Sequence, residues 1–223
     1  MSQDSQIVVG VLALQGDFIE HIKMLEQCGV KAIAVRYAEE LDGIDGLIIP
    51  GGESTAVAKL TDEGTAPIFS AIKEKLLSGK GKTGLPVYGT CMGSIFLAKD
   101  IEGSSQGRLA VMDIKVKRNA FGSQRRSFEF DMVIDALGAE AFPAVFIRAP
   151  IIVECGKNVE ALATIDEGIV MARQDNLLVT AFHPEITDDL RVHQYFLAMV
   201  KEFRQGQINS GVKTALAKAV QAV

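Results

Sequence analysis

Two short stretches, far apart in the chain, carry residue types capable of acyl-transfer chemistry. Tyr88-Gly89-Thr90-Cys91-Met92-Gly93 follows an apolar run and has the G-x-C-x-G form of a nucleophile elbow. In such an elbow, glycines let a strand turn sharply into a helix with the central side chain at the tip. The reactive atom is then the Cys91 sulfur. A helix predicted over Met92–Lys99 aims its first backbone N–H groups at that tip, where they favour a thiolate and hold an oxyanion. A buried thiol beside an ordinary turn is the plainer alternative, and the order strand, G-x-C-x-G, helix weighs against it.

The second stretch is Phe182-His183-Pro184-Glu185. Two residues apart at a strand end, His183 and Glu185 are expected to leave on the same side, so that the carboxylate orients the imidazole and favours its protonated form. H-P-E alone is a weak signal; its weight comes from pairing with the elbow. A third segment, Pro50-Gly51-Gly52-Glu53-Ser54-Thr55, ends another apolar run. Its glycines free backbone N–H groups for a negative oxygen, while Glu53 and Ser54 offer an acceptor and a hydroxyl suited to a zwitterion. The same residues also suit a plain turn with Ser54 capping a helix. Gln15-Gly16-Asp17 ends the first strand and belongs near the same place, with Asp17 a candidate N-cap.

These segments need a scaffold, and the hydrophobic pattern supplies one. Ile7–Leu14, Ala32–Val35, Leu47–Ile49 and Leu85–Tyr88 are short apolar strands. Helical spacing fills the intervals at Asp17–Gln27, from Thr55 to about Leu60, and at Ala66–Leu77. Such alternation predicts a mostly parallel sheet with helices on both faces and ligands at the carboxyl ends of the strands. After Asp100 the pattern becomes a series of short strands: Ala110–Lys117, Ser127–Ile134, Ala144–Ile147, Ile151–Cys155, Ala161–Ile165, Ile169–Arg173 and Leu177–Phe182. A helix from about Asp188 to Arg204 closes a single domain spanning 1–205. Residues 206–223 form a weakly patterned tail, either a terminal helix or a loose segment.

Composition narrows the function. The 223 residues are 48% apolar, enough for one substantial core. With 28 acidic against 23 basic residues and no basic block, neither nucleic acid nor an anionic membrane is an expected partner. No apolar run reaches the length of a membrane span, and the first residues lack the pattern of a secretion signal, which points to the cytoplasm. Cys28, Cys91 and Cys155 are widely spaced without a C-x-x-C pair, arguing against a disulfide framework or a zinc site. Cys28 and Cys155 are expected as small buried apolar residues.

Taken together, Leu47-Ile48-Ile49-Pro50-Gly51-Gly52-Glu53-Ser54-Thr55, Gly89-Thr90-Cys91, Arg118-Asn119-Ala120-Phe121-Gly122, Phe146-Ile147-Arg148-Ala149-Pro150 and Phe182-His183-Pro184-Glu185 resemble the glutaminase subunits of pyridoxal 5′-phosphate synthase. Leu14-Gln15-Gly16 and Arg191-Val192 extend the resemblance, in family order, over about Val8 to Phe203. It implies the flavodoxin-like fold of class I, or triad, glutamine amidotransferases and the hydrolysis of L-glutamine to glutamate and ammonia without a metal or organic cofactor. It implies a (β/α)8-barrel synthase as partner, which combines the ammonia with ribose 5-phosphate and glyceraldehyde 3-phosphate inside a large hetero-oligomer.

By the same resemblance Cys91 is the nucleophile with His183 and Glu185 as relay, and Gly52, Glu53, Ser54, Arg118, Ile147 and Arg148 contact glutamine. Gly52 and Met92 supply the oxyanion hole. Judged without the resemblance, Arg118 and Arg148 are solvated charges. Met92 and Ser94 depart from the family pattern, which has alanine after the cysteine and a long apolar residue after the second glycine. A glutaminase serving a different ammonia-accepting synthase remains the enzymatic alternative, and an inactive binding module the non-enzymatic one.

Overall fold

A computed structural model describes residues 6–53, 67–78, 84–121 and 127–221, the side chains from 208 onward excepted. In chain order the elements are β1 (Val8–Leu12), α1 (Phe18–Gln27), β2 (Lys31–Val35), β3 (Gly46–Ile49), α2 (Pro67–Leu77), β4 (Val87–Thr90), α3 (Met92–Leu97), β5 (Ala98–Ile101), β6 (Met112–Lys117), β7 (Ser127–Met132), β8 (Phe142–Ile147), β9 (Ile151–Cys155), β10 (Glu160–Ile165), β11 (Gly168–Gln174), β12 (Leu177–Thr180) and α4 (Arg191–Gln221). Ten strands form one sheet in the order β2-β1-β3-β4-β12-β11-β9-β6-β5, with β10 paired to β11, while β7 and β8 make a separate hairpin. The run β2-β1-β3-β4-β12 is parallel throughout, and antiparallel pairing begins at β11.

The inner strands show why this half is parallel. Every residue of β3, β4 and β12 is buried, as expected of strands covered on both faces. Alternate residues then point into two separate cores. Leu47, Ile49, Val87, Leu177 and Val179 join α2 and α3 through Ile68, Ile72, Leu76 and Phe96 on one face. Ile48, Tyr88 and Leu178 join α1, α4 and the β7–β8 hairpin through Leu25, Phe196, Val200, Phe142 and Phe146 on the other.

Three expectations need amendment. The helix after Cys91 stops at Leu97, because Ala98 turns to extended backbone and begins β5, a strand that pairs with β6. Met92 to Leu97 are all buried, so no apolar–polar period marks where the helix gives way to the strand. The last helix continues past Arg204 to Gln221. Cys28 and Cys155 are half-buried rather than fully so, and burial pushes both thiols up. The helical stretch expected up to Leu60 lies outside the described residues. Among the described residues no helix is long and apolar enough to cross a membrane.

Candidate active site

β1, β3, β4 and β12 are consecutive neighbours in the sheet, so their carboxyl ends deliver Gln15, Gly51 to Glu53, Cys91 and His183 to one edge. The register aligns Ile49 with Gly89 and Thr90 with Thr180. Cys91 takes φ 46° and ψ −102°, a conformation that a non-glycine residue holds only when its surroundings fix it, at a cost of about 1–3 kcal/mol. Here the fixing bonds are Cys91 N–H to Thr180 O at 2.8 Å, Ser94 N–H to Cys91 O at 3.1 Å and Ser94 Oγ to Cys91 O at 2.7 Å.

The elbow glycines are required by packing more than by their own torsions. A Cβ on Gly93 would lie 2.1 Å from Ile49 O, and one on Gly89 would lie 2.6 Å from Gly93 C. Strand β3, strand β4 and helix α3 therefore touch backbone to backbone. Met92 buries its side chain in the same core cluster as the apolar residues of α2, leaving its N–H in the first helical turn, where no intrahelical acceptor exists.

His183 donates from Nδ1 to Glu185 Oε1 at 2.7 Å, and both are buried. The expected reason for their meeting is corrected: β12 ends at Thr180, and His183 caps a 3-10 turn over Pro184–Ile186 with Pro184 in its first turn. Glu185 folds back onto His183 through that turn, so strand alternation plays no part. Burial opposes a charged His183, but contact with the Cys91 thiol and with Glu185 outweighs it and raises the ring's pKa to about 10. Burial likewise pushes the Glu185 carboxyl up, with His183 pulling it down. His183 Nε2, the nitrogen that Glu185 leaves unused, is buried and makes no hydrogen bond of good geometry among the described residues.

The β7–β8 hairpin clasps this machinery. Cys91 Sγ lies 3.8 Å from Ile147 O, and His183 N–H donates to Val145 O at 2.8 Å, so one strand touches both Cys91 and His183. Ala120 N–H donates to Ala149 O at 3.2 Å, and Phe121 packs on Phe128 and Phe146 with ring centroids 4.8 and 5.6 Å apart. These contacts dock the loop carrying Arg118 beside Ile147 and Arg148. Arg118 is half-buried and donates to Gln106 Oε1 at 2.7 Å. Arg148 is exposed with φ 47°. Across the site, Gln15 grips the Glu53 peptide from both sides, accepting from its N–H at 3.0 Å and donating to its carbonyl at 3.1 Å. Gly51 is pressed against His183: a Cβ there would stand 2.5 Å from its Cε1. Ser54 lies outside the described residues.

Asp17 makes no side-chain cap; its Oδ2 sits 3.7 Å from His183 Nδ1 instead. Sequence reasoning passed over His21 and His193, both fully buried behind Glu185. A signal was present: His21 stands on the apolar face of α1 with Phe18, Ile22 and Leu25, and His193 on that of α4 with Phe196, Leu197 and Val200. A histidine on such a face must find partners for its ring nitrogens inside the core.

A strained thiol at a strand-to-helix elbow, with a histidine–carboxylate pair in the turn after the adjacent parallel strand, is an arrangement suited to an acyl-transfer enzyme of the amidotransferase type. The profile of the SNO glutamine amidotransferase family matches residues 11–202, and the chain belongs to that family. It is 55% identical over 192 residues to the pyridoxal 5′-phosphate synthase subunit PdxT of Moorella thermoacetica, covering 86% of this chain and 98% of that one. The PdxT subunit of Carboxydothermus hydrogenoformans is 54% identical, with 86% and 97% covered. A crystal structure of a glutamine amidotransferase superposes with a TM-score of 0.79 at 45% identity, covering 86% and 98% of the two chains. The PurLQS structure from Thermotoga maritima, 16% identical with a TM-score of 0.58 and 86% and 98% covered, shares the fold alone.

Proposed function

We propose that this chain is the glutaminase subunit of a pyridoxal 5′-phosphate synthase, with Cys91, His183 and Glu185 as its catalytic triad. It hydrolyses L-glutamine and delivers the ammonia for pyridoxal 5′-phosphate synthesis. The observation that carries the triad assignment is the strained Cys91 elbow beside a buried His183–Glu185 pair in a member of a glutamine amidotransferase family.

Cys91 thiolate attacks the side-chain amide carbon, forming a C–S bond while Gly52 and Met92 N–H groups receive the oxyanion. His183, cationic at neutral pH, gives its proton to the departing nitrogen, and the C–N bond breaks to leave a thioester. Water deprotonated by the same ring then releases glutamate and restores the thiol. Glu185 holds the ring with Nδ1 protonated and Nε2 free for chemistry. Arg118 and Arg148 suit the substrate α-carboxylate, and Glu53 with Ser54 the α-ammonium, while Ile147 forms a wall of the cleft. The acceptor is a (β/α)8-barrel synthase that takes the ammonia directly from this site within a hetero-oligomer.

Glutamine hydrolysis measured with and without the barrel synthase tests the reading. Expected are low activity alone, a marked rise on complex formation, and loss of both turnover and labelling by a glutamine-mimicking electrophile in Cys91→Ala. Turnover by that variant would refute the nucleophile assignment, and hydrolysis indifferent to the barrel synthase would point to a different ammonia acceptor.

A further inference from the structure

The chain has three histidines, and all three lie in one buried cluster. The thioester chemistry uses only His183. His21 Nδ1 is 2.9 Å from His193 Nε2, while His21 Nε2 is 2.9 Å from Thr90 Oγ1 and 3.5 Å from Glu185 Oε2. Thr90 immediately precedes the nucleophile. Glu185 engages His183 through Oε1, and its Oε2 is buried without a hydrogen-bond partner among the described residues. An ionised oxygen in that position needs a nearby positive dipole.

We propose that His21 and His193 are positioning residues for the triad carboxylate: His193 donates from Nε2 to His21 Nδ1, which fixes the His21 proton on Nε2, facing Thr90 Oγ1 and the second oxygen of Glu185. The inference rests on the reading of Glu185 as triad acid given above. A neutral imidazole has one N–H and one lone pair, so the pair has two self-consistent arrangements. In the opposite one, a His21 lone pair would face Oε2, and the N–H at His193 Nδ1, which has no partner among the described residues, would be buried without an acceptor. The proposed arrangement leaves only an acceptor unused there, the cheaper orphan.

The surroundings keep both rings neutral. Burial holds His21 well below its ordinary value, with repulsion from His193 and His183 adding to it, and burial alone lowers His193 to about 4. Tyr88 from β4 meets both rings edge-on, with centroids 6.1 and 6.2 Å away. Glu185 and His183 face His21 from the 3-10 turn and its cap, and Asp17 approaches His183 from the start of α1. His21 and His193 therefore act as fixed dipoles in a chain that runs from α4 to the triad.

Imidazole-15N-labelled full-length protein, whose spectrum contains only three rings, tests the arrangement directly at pH 7 in a long-range N–H correlation. His21 and His193 are expected neutral with the proton on Nε2; a proton on His21 Nδ1 overturns the proposal. That readout needs no substrate, so it stands or falls separately from the proposed function. With the synthase present, His21→Leu is expected to lower kcat about tenfold with KM nearly unchanged, and to move the acid limb of the kcat profile up by about one pH unit, since Glu185 then keeps its proton to higher pH. His21→Gln, which retains an N–H near the Nε2 position, should return the limb towards wild type. A limb that stays fixed in both variants while the amplitude falls would show packing alone and overturn the assignment.

Discussion

His193 makes the stability of the fold depend on pH. In the unfolded chain its ring takes up a proton near 6.5, and in the folded protein only near about 4. Between those values the unfolded state binds more protons, so stability is present above 6.5 and is lost as pH falls towards 4. His21 acts in the same direction; Glu185, raised by burial, acts in the opposite one. Comparison with His193→Leu isolates the histidine. Urea unfolding should show the lead of wild type over that variant shrinking by up to ~3 kcal/mol from pH 7 to pH 4; a constant lead would mean that the ring is not buried neutral. At this scale the cluster of Cys91, His183 and Glu185 was legible, because these residues advertise themselves by type and neighbours. His21 and His193 were not, since an apolar periodicity makes any residue on the stripe look like core.

Among the elements, the elbow is held by backbone-to-backbone contact, and Gly93 is where it is most exposed to change. With Ile49 O 2.1 Å from the place of a Cβ, Gly93→Ala must push α3 off β3. Its expected cost is ~3 kcal/mol, seen as a fall of about 6–12 °C in Tm, together with loss of electrophile labelling at Cys91. A melt within a degree or two of wild type would show that the helix can shift freely. The succession of strands and helices, β5 apart, followed from the alternation of apolar runs. What did not follow was the placing of His183 and Glu185 in a proline-led 3-10 turn, or the β7–β8 hairpin leaving the main sheet to meet Cys91 and His183. Both depend on long-range pairing, which no local period encodes.

For the molecule as a whole, the family match ends at residue 202 while α4 runs on to Gln221, with 205–207 exposed. Removal of 207–223 is expected to leave Tm within about 3 °C and synthase-dependent glutamine hydrolysis unchanged; a larger loss would place the segment within the working domain. The confinement of all three histidines to the interior also governs how the protein meets its surroundings. Its surface carries no imidazole, so between about pH 6 and 7, above the carboxylates and below the amines, the outside of the molecule keeps nearly constant charge. Electrophoretic mobility and the ionic attraction of partners should be almost flat across that range. The charge changes of the buried rings fall outside it, at about 4 for His193 and about 10 for His183.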